Sequence, residues 1–145
     1  MTERTLPNDV MMESIASLLS EGREVRFTPK GVSMRPFIEG GRDSVILRKE
    51  TDFGVGDIVL VRLLNGCYVL HRIIAKSGER LTLMGDGNLK GTESALASDV
   101  IGMVTGIVKP NGKCRKPKKG RLWFKLFPFR KRLLWIYRKK LKFGI

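Results

Sequence analysis

Histidine is nearly absent from this chain: His71 is the only one in 145 residues, and cysteine occurs twice, as Cys67 and Cys114. The two cysteines are far apart and form no CxxC pair, so a zinc site of the usual Cys/His type is excluded and two separate reduced thiols are the default reading. No metal or organic cofactor is implied. No early apolar run resembles a secretory leader, because the first ten residues include Glu3, Arg4, Pro7 and Asp9. Nor does any stretch approach the roughly 18–20 apolar residues of a membrane span. A cytoplasmic location follows as the expectation, with peripheral contact at the inner membrane face left open by the tail.

Acid is missing from one whole region. Lys109–Ile145 holds 15 of the 28 Lys+Arg and none of the 14 Asp+Glu, so the net charge of +14 belongs to a tail. The remainder, residues 1–108, is close to neutral, and its length suits one domain with a proper core. The expected organisation is therefore a domain over 1–108 followed by a basic linker and amphipathic aromatic segment over 109–145.

Asn8 or Asp9 can cap a helix over 9–21 whose apolar positions Val10, Met11, Ile15, Leu18 and Leu19 recur at helical spacing, and Gly22 ends it. A lone helix is no helix-turn-helix, which leaves DNA reading poorly supported. Strands are expected over Arg23–Thr28, Asp43–Arg48, Ile58–Arg62, Tyr68–Ile74, Leu81–Met84 and Val100–Val108, with Leu63-Leu64-Asn65-Gly66 as a hairpin connection. Short strands with turn residues between them predict a mainly β domain, a small coiled antiparallel sheet or partial barrel. Gly102 and Gly106 inside the last strand mark the bends or bulges such a sheet needs.

Four short boxes carry the chemistry. Gly31-Val32-Ser33-Met34-Arg35-Pro36 frames a serine with a permissive glycine before it and a backbone-setting proline after it. Gly56-Asp57-Ile58-Val59 follows, with Asp57 tightening the turn before its strand. Leu70-His71-Arg72-Ile73 holds the only imidazole, and Met84-Gly85-Asp86-Gly87-Asn88 supplies a carboxylate. A serine hydroxyl needs a neighbouring base to become a nucleophile, and histidine exchanges its proton near neutrality. A carboxylate behind the ring fixes its tautomer.

In order and separation these boxes resemble those of the type I signal peptidase family, whose serine motif reads SMxP. The His71-Arg72 pair stands where eubacterial members carry lysine and arginine. In this the chain is similar to the serine–histidine branch found in endoplasmic-reticulum and spore-former enzymes, as is its Gly-Asp-Gly-Asn box. The resemblance, which spans about Val25 to Val108, implies a serine endopeptidase of the signal-peptidase and LexA catalytic-domain fold. It implies Ser33 as nucleophile, His71 as base and then acid, and Asp86 as the orienting carboxylate. The reticulum branch carries a second acid beyond its box, and Glu93 is the residue available here for that role. Gly31 stands where some relatives place a hydroxyl donor to the oxyanion, which leaves the Ser33 N–H to serve. LexA-type proteases use a serine–lysine dyad, but the nearest lysine, Lys76, lies past a change of strand face. The implied substrate is an extended leader or signal-like segment cut after small residues.

In the tail, Lys109–Gly120 reads as a flexible basic linker. Beyond Pro128, Leu133, Leu134, Tyr137 and Leu141 share one helical face with cations opposite, a pattern suited to an anionic membrane surface through residues 121–143. Packing on the domain or on a protein partner is the second reading, and nucleic acid ranks last. A non-catalytic peptide- or membrane-surface-binding module that keeps the peptidase fold is the alternative to an enzyme.

Overall fold

The computed structural model describes residues 8–143. The expected leader-free N-terminus and the capping side chains of Asn8 and Asp9 lie outside the described set. Helix α1 (Asn8–Ser20) is followed by strands β1 (Val25–Phe27), β2 (Ser44–Arg48), β3 (Ile58–Arg62), β4 (Tyr68–Ser77) and β5 (Arg80–Met84). Then come β6 (Glu93–Leu96), β7 (Val100–Val108) and β8 (Cys114–Arg115), and last the helices α2 (Arg121–Lys125) and α3 (Arg130–Phe143). All the strands pair antiparallel in one open sheet ordered β1-β2-β7-β3-β4-β5-β6, with β8 also on β7.

Apolar alternation decides the layers. On β3, Ile58 and Leu60 join one core with Ile15 and Leu19 of α1, while Val59 and Val61 join a second core with Ile73 and Leu83. A strand covered on both faces has no polar position to spare, which is why β3 reads as a continuous apolar run. Gly22, in the left-handed region at φ 82°, ends α1 where expected. Both strand glycines of β7 sit at register shifts: Gly102 opposite Leu60 and Gly106 opposite Ile46. Gly102 also gives α1 its seat, because a Cβ there would lie 2.9 Å from Leu19 Cδ1. Bulges of this kind bend a strand, and here both lie on β7, between its partners β2 and β3.

Candidate functional site

The Ser33 turn is built to be approached. Gly31 takes φ 93°, Arg35 N–H donates to Val32 O at 3.2 Å, and the Arg35-Pro36 peptide is cis. On the other side lies the Gly85–Asn88 turn, whose Gly87 N–H donates to Ser33 O at 2.8 Å. Its two glycines are required by contact. A Cβ on Gly85 would sit 2.4 Å from Ser33 O, and one on Gly87 would sit 2.6 Å from Val32 O. The two glycines of this box are thus a docking surface for the Ser33 turn as much as a turn signal.

His71 comes to the same place through the sheet. It pairs with Val59 on β3, and the last β4–β5 pair is Arg72 with Met84, so the chain next reaches Gly85 beside His71. Ser33 and His71 line one cavity of about 170 Å³, walled by Met12, Phe27, Met34 and Leu70 among others. Tyr68–His71 pairs with β3 alone, because β5 joins only from Arg72. That stretch lines the cavity, and its other edge has no partner strand among the described residues.

The carboxylate on the imidazole is Glu93, the second acid that the sequence offered beside Asp86. His71 Nδ1 lies 3.0 Å from Glu93 Oε2, and the ring is buried while the carboxylate is half-buried. Register explains the match: Glu93 pairs with Leu83, Leu83 with Ile73, and Ile73 lies two residues along the same face from His71. An ionised carboxylate only accepts, so Nδ1 is the donor, and in the neutral ring that tautomer leaves the lone pair on Nε2.

Asp86 points the opposite way and is committed to Arg72. Both side chains are fully buried, with Arg72 Nε donating to Oδ1 at 2.8 Å and Nη2 to Oδ2 at 2.7 Å. Arg72 Nη1 also donates to the Gly56 and Lys118 carbonyls, and its guanidinium lies 5.0 Å from the Phe37 ring centre. Burial pushes the Asp86 carboxyl up against the pull of Arg72, Arg130 and His71. Alternation along the box accounts for this: Gly85 and Gly87 turn to Ser33, and Asp86 between them turns away.

The remaining candidates fall outside the chemistry. Lys76 is held elsewhere, its Nζ donating to Phe53 O at 2.9 Å over the Phe53 ring. Asp57 tightens its turn as expected, accepting from Gly54 N–H at 2.9 Å, and also binds Lys119. Cys67 and Cys114 are exposed free thiols, and among the described residues no cluster of three or more His, Cys, Asp or Glu is placed to hold a metal ion. Ser33 N–H makes no hydrogen bond among the described residues.

Packing of the tail on the domain was the second sequence reading, and its contacts were not foreseen. The expected flexible linker is anchored at β8, at Lys118 and Lys119, and at Gly120, where a Cβ would meet the Arg72 guanidinium at 3.0 Å. Trp123 Nε1 donates to Asp86 O at 2.8 Å, and buried Arg130 donates to the Asp86 and Asn88 carbonyls. From the other side Tyr137 donates to Glu39 at 3.3 Å, and Glu39 binds Arg35 through two hydrogen bonds. Both flanks of the Ser33 turn therefore touch the tail. The signal available was the placement of Trp123 and Tyr137 among cations, but nothing in the sequence names their acceptors. No helix among the described residues is long and apolar enough to cross a membrane. Set against known proteins, the chain matches no family model and no curated protein.

Proposed function

We propose that the chain is a serine endopeptidase with Ser33 as nucleophile, His71 as general base and acid, and Glu93 as the carboxylate that orients the ring. The observation that carries the reading is the shared cavity: one serine and the sole imidazole line it together, with a carboxylate 3.0 Å behind the ring nitrogen. No hydrogen bond joins the Ser33 hydroxyl to the ring among the described residues. Free enzymes commonly hold that contact long until substrate tightens it.

In the reaction, Ser33 Oγ bonds to the scissile carbonyl carbon while Nε2 of His71 takes the hydroxyl proton. Glu93 stabilises the imidazolium, and the proton passes to the leaving amine as the C–N bond breaks. Water then attacks the acyl ester, giving its proton to His71, which returns it to Ser33. The Ser33 N–H, unengaged among the described residues, is the donor proposed for the oxyanion. The bare edge of Tyr68–His71 suits a substrate laid on as an extra strand, with backbone hydrogen bonds supplying affinity. The small cavity fits the short side chains that the family resemblance implies before the cut.

A fluorophosphonate probe with intact-mass readout tests this. The expected result is one adduct on the wild type, none on Ser33→Ala, and a strong loss on His71→Ala. Labelling of Ser33→Ala equal to the wild type would return the chain to a non-catalytic binding module.

A further inference from the structure

The apolar stripe expected to meet a membrane is turned onto the protein. Leu134 is 7% exposed, and Leu133, Tyr137 and Leu141 are half-buried, so that face of α3 is already covered. What the helix turns outward is another set. Phe129, Trp135 and Ile136 are 58%, 52% and 50% exposed, and they line one groove with Lys131, Arg132 and Arg138. Among the described residues no acid pairs with Lys131, Arg132 or Arg138. We propose that this outward face docks the protein on the surface of an anionic phospholipid bilayer, with the inner face of α3 still seated on the domain.

Charge complementarity selects the occupant. The segment from Lys109 onward contains 15 basic residues and no acid, so it repels another copy of itself and attracts a negative surface. Apolar content separates a bilayer from a nucleic acid. Phosphates and bases use cations and flat rings, whereas an exposed isoleucine beside Phe129 and Trp135 gains only from an acyl boundary. Indole and phenyl rings settle at headgroup depth, and the stems of Lys131 and Arg132 can lie along the apolar layer with their charges in the headgroups. Cations are interleaved with the apolar side chains, so penetration is shallow and attraction does most of the holding. Binding should therefore fade with salt and be weak on neutral lipid. This reading does not depend on the peptidase.

Flotation of the full-length chain with phosphatidylcholine vesicles, with and without a share of phosphatidylglycerol, tests the proposal. Recovery on the anionic vesicles should exceed that on neutral ones by about tenfold or more at low salt. Two double variants probe the two parts of the face: Trp135→Ser with Ile136→Ser, and Lys131→Glu with Arg132→Glu. Each should lower anionic recovery about tenfold, the charge variant serving also if the apolar one fails to fold. Equal recovery on neutral vesicles, recovery unmoved by the charge variant, or a preference for a nucleic-acid duplex over anionic vesicles at matched salt would each overturn it.

Discussion

His71 and Arg72 are neighbours on one strand, and each meets a carboxylate, yet the two pairs do different work. Arg72 and Asp86 are both fully buried and share two hydrogen bonds, and further donors of Arg72 tie down the Gly56 and Lys118 carbonyls. His71 and Glu93 share one contact, and Glu93 stays partly open to solvent. A saturated pair sealed from water has no proton to exchange and no room for substrate, so it holds the fold. A buried imidazole with one nitrogen engaged, on a residue that lines a cavity, is the arrangement the proposed acid–base role needs. Strand alternation alone separates the two roles.

Breaking each pair should therefore damage a different property. Asp86→Asn leaves the Arg72 guanidinium buried without its counter-charge, and loss of a buried partner costs about 3–5 kcal/mol. Denaturant unfolding should show that loss, while joint replacement, Arg72→Met with Asp86→Leu, should recover much of it because no orphan charge remains. Glu93→Gln keeps the shape at a partly solvated site, so stability should fall by no more than about 1 kcal/mol. Its effect belongs to the rate: probe labelling at Ser33 should slow about 10²–10⁴-fold, the range for losing a positioned acid–base group. If Asp86→Asn slowed labelling and left stability alone, with Glu93→Gln doing the reverse, the assignment of the two carboxylates would be exchanged.

Most of the sheet was legible, because its strands are apolar on one or both faces. Ile58–Arg62 and Val100–Val108 are found where alternation and turn residues put them. Strand β6 was not, since Glu93-Ser94-Ala95-Leu96 has weak strand propensity and only Ala95 is buried. Missing that strand is also why Glu93 could not be ranked over Asp86. Its approach to His71 is fixed by register through β5, a long-range fact with no local trace. Ser33 and His71 were singled out by the order and separation of their boxes and line one cavity, whereas the two glycines beside Asp86 read as turn residues although they admit the Ser33 turn. The apolar stripe of α3 is covered, as the second of the two sequence readings had it; helical periodicity shows that a stripe exists, not what covers it.

A third carboxylate extends the contrast to pH. Asp43 is fully buried and accepts from Glu39 N–H at 2.8 Å, from Lys109 Nζ at 2.8 Å and from Arg42 Nε at 3.0 Å. Burial works against its ionisation, but Arg42, Lys109 and the Glu39 N–H together outweigh it and hold the carboxyl below its ordinary value. A carboxyl held low in the folded chain binds fewer protons there than when unfolded. Its contribution is thus present above the ordinary carboxylate range and disappears as pH falls through the folded value. Asp43→Asn should lower stability at neutral pH by about 1.5–3 kcal/mol and flatten the acid limb of a stability–pH curve. An unchanged acid limb would place the acid sensitivity elsewhere.

The smallest expected effect comes from the tail, and it asks whether the Arg72–Asp86 pair is coupled to the Ser33 turn. Trp123→Phe removes the indole N–H bonded to Asp86 O and keeps a ring against Phe37, which meets Trp123 edge-on at 6.2 Å. The Asp86 carbonyl retains Arg130, so the loss should be about 1 kcal/mol of stability. Asp86 and Gly87 are adjacent, and Gly87 N–H is what holds Ser33 O, so loosening the first should let the nucleophile turn drift. Labelling at Ser33 should then slow by about two- to fivefold, in keeping with a bond of that strength felt one step removed. Trp135→Phe, on the outward face of α3, changes an aromatic of the same kind with no contact to that loop and should leave both quantities where they are. A Trp123 variant that loses stability but labels at the wild-type rate would show that the tail supports Arg72 and Asp86 without steering Ser33.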